Sequence, residues 1–289
     1  MQEQPIHVQT KDDVSIAVWK SNPKQSNGKV VFLTHGAFSN RQIFNGIVGA
    51  LTQNGFTCWS MEWRNHGESE HSPSKFNLET VAEFDLSATL NFLVNKQGLK
   101  SFDCITHSGG GLVLTMFLIK NPSYRASIKS ISMFGVQAFG AGSKLKNRMK
   151  IFAGKYVSAM LGKVPSKPAG SIENSESYHT LKQWFDWNLK KNFVGEDGFD
   201  YREKMKSIQI PILSICAKGD HFIAPKEGCQ QYLEAFENPQ NKLIYFALEN
   251  GNLEDYSHSR IILSRNSEKE IYPVVLKWIH ESASSKSKA

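Results

Sequence analysis

The chain has 289 residues, 40% of them hydrophobic and 21% charged, with a formal net charge of +7 at pH 7. These are the proportions of a globular protein able to bury a sizeable core, as one large α/β domain or one domain carrying an insertion. No apolar run is long enough to span a bilayer, and residues 1–8 show no basic segment followed by an apolar stretch, so the expectation is a cytoplasmic protein without stable membrane insertion.

Residues 6–9 and 14–19 alternate apolar and polar side chains and read as an opening hairpin, followed by a polar turn at 21–28. The runs 29–34, 56–61, 102–106, 128–134, 210–216 and 243–247 are short and apolar, as strands covered on both faces are. Between them, 43–51, 78–94, 112–119, 227–236 and 271–279 carry apolar residues at three- and four-residue spacing, which predicts helices. This alternation predicts an α/β fold with a doubly wound, mostly parallel sheet, whose reactive groups gather at the carboxyl ends of the strands.

One interval, 137–206, breaks the rhythm. It offers no buried strand, but Leu145, Met149, Phe152, Tyr156 and Met160 recur at helical spacing, so it reads as a helical cap over the carboxyl ends of the strands. The expected organisation is a core of 1–136 and 207–281, the cap at 137–206, and a flexible polar tail at 282–289.

The cap also concentrates the charge. Lys144, Lys146, Arg148, Lys150, Lys155, Lys163 and Lys167 fall within 137–170 without one acidic residue. The simpler reading of 144–161 packs the apolar stripe on the core and solvates the basic face; the alternative is affinity for anionic lipid or acidic substrates. The remainder of the chain is nearly neutral and has none of the usual nucleic-acid motifs, so no nucleic-acid partner is expected. Cys58, Cys104, Cys216 and Cys229 lie far apart, with no CxxC pair or His/Cys cluster, which predicts buried free thiols and no metal.

In 101–115 an apolar, β-branched stretch breaks into Thr-His-Ser-Gly-Gly-Gly and then turns into a helix pattern. This is the shape of a nucleophile elbow, a sharp strand-to-helix turn that pushes the Ser108 hydroxyl out of the sheet. Such a turn needs small side chains two positions either side of the serine. Gly110 meets that need, and Thr106 stands where the strict pattern has glycine. A serine hydroxyl is a poor nucleophile at neutral pH without a base in reach and an acid to orient that base.

The layout resembles the α/β-hydrolase superfamily, esterase and lipase-like branch, over roughly 29–279. The superfamily's order is serine, carboxylate, histidine, the last two on loops after late strands. That order implies Asp220 as the acid, on the loop after 210–216, and His258 as the base, the one histidine between 243–247 and the C-terminal helix. Glu254 and Asp255 are rival acids, tethered on His258's own loop. Asp220 as a plain cap or turn residue and His258 as a surface histidine are the alternatives.

Thr34-His-Gly-Ala-Phe38 looks like the superfamily's oxyanion loop, and Arg64-Asn-His-Gly-Glu-Ser69 is similar to its Arg-Gly-His-Gly-x-Ser turn, with Asn65 departing from it. The resemblance implies an oxyanion hole of the Gly109 and Ala37 amides, with Phe38 as a further donor. Phe38, His107 and Phe139 are expected to meet the substrate. His35, His66 and His107 also read as positioning residues that hydrogen-bond backbone in nearby turns, and His221 as either pocket wall or surface. Phe152, Trp184, Phe185 and Trp187 either line an acyl pocket or form the cap's own core.

What the resemblance implies is ester cleavage through a Ser-His-Asp triad and an acyl-enzyme, with no cofactor. The partner would be a small-molecule ester, lipid-like esters among the candidates, and the protein a monomer or homodimer. A serine at the elbow argues against dehalogenase and epoxide hydrolase chemistry. Thioesterase, lactonase, peptidase and acyltransferase reactions stay open, as does a poorly catalytic homologue that binds a ligand.

Overall fold

The computed structural model describes residues 4–164 and 176–285. The opening hairpin is β1 (Ile6–Gln9) and β2 (Ser15–Ser21); then come β3 (Val30–Thr34), β4 (Thr57–Met61), β5 (Phe102–His107), β6 (Ile128–Phe134), β9 (Ile212–Ala217) and β10 (Lys242–Phe246). These eight form one sheet in the order β1-β2-β4-β3-β5-β6-β9-β10. β2 runs antiparallel to β1 and β4, and every pairing from β4 across to β10 is parallel. This is the α/β-hydrolase arrangement. β7 (Lys163–Val164) and β8 (Glu176–Ser177) pair separately as a small antiparallel ribbon.

The strand patterns follow from the layers. Along β3, Phe32 enters one apolar cluster while Val31 and Leu33 enter the other, because alternate side chains point to opposite faces and helices cover both. β5 and β9 are buried at every residue, whereas the edge strand β1 is largely exposed. β9 starts at Ile212 and not at 210, since Pro211 has no N–H to give a ladder. Cys58, Cys104, Cys216 and Cys229 are buried free thiols.

Topology places the site. From β3 the chain steps to β4 on one side, then returns to β5 on the other, so the order reverses between β3 and β5. The loops leaving the carboxyl ends of these two strands face each other across that switch point.

The C-terminal helix, Tyr272–Ser285, runs past the expected start of the tail. Ser282 is buried and its hydroxyl donates to the Trp278 carbonyl at 2.9 Å, so this polar residue is satisfied one turn back within the helix. The rest of the expected tail, 286–289, lies outside the described residues. Among the described residues no helix is long and apolar enough to cross a membrane.

Two long helices lie in the interval expected to form the cap: an outer one, Leu145–Leu161, and an inner one, Tyr178–Lys190. The outer helix reverses the expected packing. Its sheet-side face is formed by Asn147, Ile151, Gly154 and Ser158, while Leu145, Met149, Phe152, Tyr156 and Met160 point outward and are more than half exposed, Met160 at 88%. The inner helix approaches at Gly154, where an added Cβ would lie 3.6 Å from the Phe185 ring, so small residues serve the contact better than the stripe does.

Candidate active site

β5 ends at His107 and the next helix, Gly109–Lys120, begins at Gly109, leaving Ser108 alone in the turn with φ 52° and ψ −125°. A serine in that conformation is strained and persists only where its surroundings fix it. Here its N–H donates to the Phe134 carbonyl of β6 at 2.9 Å, and its carbonyl accepts from Gly111 at 3.0 Å. Three glycines permit the crowding. A Cβ at Gly36 would lie 2.7 Å from Ser108 Cβ, one at Gly110 would lie 2.3 Å from the Thr34 carbonyl, and one at Gly111 would lie 2.6 Å from Val136 and 3.1 Å from Thr106 Oγ1. Gly111 thus leaves room for the threonine that departs from the strict elbow pattern.

The structure brings Ser108, His258 and Asp220 together from three loops 38 and 150 positions apart. Ser108 Oγ lies 2.8 Å from His258 Nε2, and His258 Nδ1 lies 2.5 Å from Asp220 Oδ2. With Nδ1–H donated to the carboxylate, Nε2 is left to accept the serine proton. Asp220 Oδ1 also accepts the amides of Ile223 at 3.1 Å and Ala224 at 3.0 Å. Burial alone would raise the Asp220 pKa; the facing His258 ring and those two amides outweigh it and hold the carboxyl below the usual aspartate value. Gly135 closes β6 with φ 58°, and a Cβ there would come within 3.2 Å of the His258 ring. The rival acids are engaged elsewhere: Glu254 pairs with Arg260 and Ser264, and Asp255 accepts the Leu248 amide at 2.8 Å.

A Cβ on Gly109 would lie 3.6 Å from Ala37 N, and both residues line the cavity with Ser108. Gly109 opens a helix, where N–H groups lack intrahelical acceptors. The Phe38 amide differs. It donates to Glu176 Oε1 of β8 at 3.0 Å and is therefore not a free oxyanion donor. Phe38 itself, at φ 57°, does line the cavity beside Ser108.

Glu176 also faces His66, with 2.6 Å between Oε1 and Nε2, both groups buried. The other His66 nitrogen lies 2.8 Å from the Arg64 carbonyl, so both ring nitrogens face acceptors and the ring is held as an imidazolium. Burial opposes that charge, yet the Glu176 carboxylate prevails and the His66 pKa is raised. Its turn is anchored by Arg64, buried between Asp85 and Asp12. Asn65 takes φ 66°, a left-handed conformation asparagine tolerates where the superfamily pattern has glycine. His35 is buried under Trp63, accepts its N–H at 3.1 Å, and has its pKa driven well down, by burial first and by neighbouring histidines second.

Two expected substrate contacts are corrected. His107 is buried and donates from Nε2 to the His258 carbonyl at 2.9 Å; burial, with His258 adjoining, pushes its pKa down to about 3. It props the histidine loop and is absent from the cavity wall. Phe139 is 1% exposed and packs in the core against Tyr232, because the strand's apolar run continues past β6 into the sheet's own cluster. His221 is exposed.

A cavity of about 430 Å³ opens at Ser108 and His258. Its walls are mostly apolar, from Leu112 of the elbow helix, Leu181, Trp184 and Phe185 of the inner cap helix, and Phe222 and Ile223 after β9. Trp187 sits behind them in the core, its Nε1–H donated to the Val194 carbonyl, and Phe152 points away. Glu176, Leu181, Phe222 and Ile223 escaped the sequence reading because nothing local distinguishes them.

Residues 25–247 match the Hydrolase_4 family, described as serine aminopeptidase, S33. The chain belongs to this family. It is an esterase- and lipase-like α/β-hydrolase by its similarities. Protein phosphatase methylesterase 1 of Candida albicans is 31% identical over 101 residues, which cover 35% of this chain and 28% of that protein. Gastric triacylglycerol lipase of Rattus norvegicus is 26% identical over 148 residues, covering 44% of this chain and 38% of the lipase. The matched part of the hydrolase thus spans well under half the length of these relatives. An esterase from Exiguobacterium antarcticum has the same fold with a TM-score of 0.66 at 15% identity, covering 96% of this chain and 99% of that one. A thermophilic esterase from Thermogutta terrifontis gives 0.64 at 16% identity, with the same coverage.

Two outcomes follow for the hydrolase. Gly110→Ala forces a Cβ against the β3 carbonyls and is expected to cost about 1–3 kcal/mol of stability, read from urea unfolding; an unchanged midpoint contradicts the tight elbow. A raised histidine pKa stabilises fully below the unfolded-state value of about 6.5 and less as pH climbs through the folded-state value. His66→Gln should therefore lower the thermal unfolding midpoint most near about pH 6 and progressively less at alkaline pH, and a deficit growing with pH contradicts the imidazolium.

Proposed function

We propose that the protein is a serine hydrolase of carboxylic esters, with Ser108, His258 and Asp220 as its catalytic triad. The observation that carries this reading is the unbroken hydrogen-bonded chain from the Ser108 hydroxyl through His258 to Asp220, placed on the wall of an apolar cavity. As Ser108 Oγ attacks the ester carbonyl, His258 Nε2 takes its proton, and Asp220 holds and charge-balances the imidazolium. The carbonyl oxygen becomes an oxyanion facing the Ala37 and Gly109 amides, each worth about 3 kcal/mol of transition-state stabilisation in comparable sites. His258 then protonates the departing alkoxide, leaving an acyl-enzyme on Ser108. Water attacks that acyl group, His258 accepts the water proton, and the acid leaves as Ser108 regains its hydrogen. Every proton and bond is accounted for within these groups, so the cycle calls on no cofactor.

Three points favour esters over the aminopeptide substrates in the family's description. An aminopeptidase must receive an α-ammonium group near the nucleophile, and among the described residues that line this cavity there is no carboxylate, while Lys150 adds a cation. Glu176 is not among the residues that line the cavity; its Oε1 faces His66 and accepts the Phe38 amide, and its buried Oε2 has no hydrogen-bond partner. The relatives include a methylesterase, lipases and esterases by name, which agrees with an ester substrate. The mainly apolar wall suits an acyl chain over a polar one.

Hydrolysis of p-nitrophenyl esters of graded acyl length tests the reading. The expected result is turnover that rises from acetyl to medium acyl chains as the cavity fills. Ser108→Ala abolishes it, and Asp220→Asn lowers kcat by roughly 10⁴-fold through loss of histidine orientation. Full turnover by Ser108→Ala sinks the assignment; preferential release of aminoacyl amides over all esters replaces it with the peptidase alternative.

A further inference from the structure

Seven of the twelve large apolar side chains that stand exposed among the described residues belong to the outer cap helix, Leu145–Leu161. Five of them, Leu145, Met149, Phe152, Tyr156 and Met160, follow three- and four-residue steps and so form one stripe along a helix about 25 Å long at 1.5 Å per residue. Isolated exposed apolar residues need no explanation, but a contiguous stripe does. Its flanks are basic. Lys146 borders one side, Arg148 and Lys155 the other, and Lys144 stands at the start. Lys155 is held by Asp186, while among the described residues no carboxylate lies within ion-pair distance of Lys144, Lys146 or Arg148. The helix itself has no acidic residue.

We propose that this face docks on an anionic lipid surface, with the helix axis lying in the interface and the apolar stripe entering the boundary between head groups and acyl chains. An apolar stripe with aromatic members between rows of cations is the pattern that suits such a surface. Charge complementarity selects it over a second copy of the chain. Two copies joined stripe to stripe would bring the Lys146 and Arg148 rows together with no carboxylate on either helix to offset them. The opposite face of the same helix supplies Gly154 and Ser158 to the wall of the cavity that holds Ser108. Between the two faces, at the helical period, lie exposed Val157 and Leu161, an apolar track from the outer stripe toward the cavity. Under the ester-hydrolase reading, that track admits a lipid-borne acyl ester without passage through bulk water. The docking itself needs no catalysis and stands or falls independently of it.

The test is cosedimentation of the full chain with large unilamellar vesicles of phosphatidylcholine alone, or of phosphatidylcholine mixed with phosphatidylserine, at low and high salt. The proposal predicts partition onto the phosphatidylserine vesicles at low salt, weakened by high salt. It predicts about fivefold weaker partition for Lys146→Ala and roughly tenfold or more for Met149→Ser with Met160→Ser. These positions are exposed, so unfolding midpoints should match the wild type, and Ser108→Ala should bind as the wild type does. Failure to bind phosphatidylserine vesicles at low salt overturns the proposal. So does binding that ignores lipid charge and salt, or stripe variants that bind as well as the wild type. Sedimentation equilibrium without lipid supplies the competing outcome: a dimer dissociated by Met149→Ser, with no vesicle binding, assigns the face to a second copy, and a monomer without vesicle binding leaves it to an acidic protein partner.

Discussion

The backbone of Ser108, held at a positive φ between a strand and a helix, is the constraint on which the rest of the site is built. A non-glycine residue in that region would relax if it had space. It has none, because the loop after β3 packs directly against the turn. Gly36 packs against Ser108 Cβ and Gly110 against the β3 carbonyls. The same crowding accompanies a hydroxyl that faces His258 and a Gly109 packed close to Ala37. The conformation that costs stability therefore sets the hydroxyl, Gly109 and Ala37 together, and the switch in strand order between β3 and β5 is what brings the two loops into contact.

Charge is sorted around the elbow by what each imidazole faces. His107 faces a carbonyl on one nitrogen and nothing on the other, and burial keeps it neutral against the His258 loop. His66 faces acceptors on both nitrogens and is charged. Its partner Glu176 belongs to the small ribbon of β7 and β8 and holds the amide of Phe38, so that ribbon is tied to the loop after β3 by a buried pair and a hydrogen bond. Removing either side of such a pair leaves an uncompensated buried charge, which makes the ribbon's seating and the loop's shape a single problem.

Much of this was legible in the sequence. Parallel strands covered on both faces are apolar throughout, so the six parallel strands stood out as apolar runs, and the loops following them could be compared with the superfamily's order. Ser108 was picked out by its turn, and Asp220 and His258 by the superfamily's order; the structure brings the three side chains within hydrogen-bond reach. What failed was direction. Periodicity at 145–160 shows that a helix has an apolar face, not which way the face turns, and here small residues took the packed side. His107 and Phe139 were misplaced for a related reason: nearness in sequence to the elbow or to β6 does not say on which side of the sheet a side chain falls. Glu176 had no local mark at all, since its role comes from residues 110 and 138 positions away. Thr106 and Asn65, both departures from superfamily patterns, proved compatible once Gly111 made room and asparagine accepted a left-handed φ.

The account's central claim is that Ser108 carries the acyl group between two half-reactions. Rapid-quench mass spectrometry during turnover of p-nitrophenyl butyrate tests it most directly. The account predicts a butyryl mass increment on the peptide containing Ser108, formed in step with the burst of nitrophenol and lost as butyrate appears. Normal turnover with no increment, or with the increment on any other residue, would contradict it.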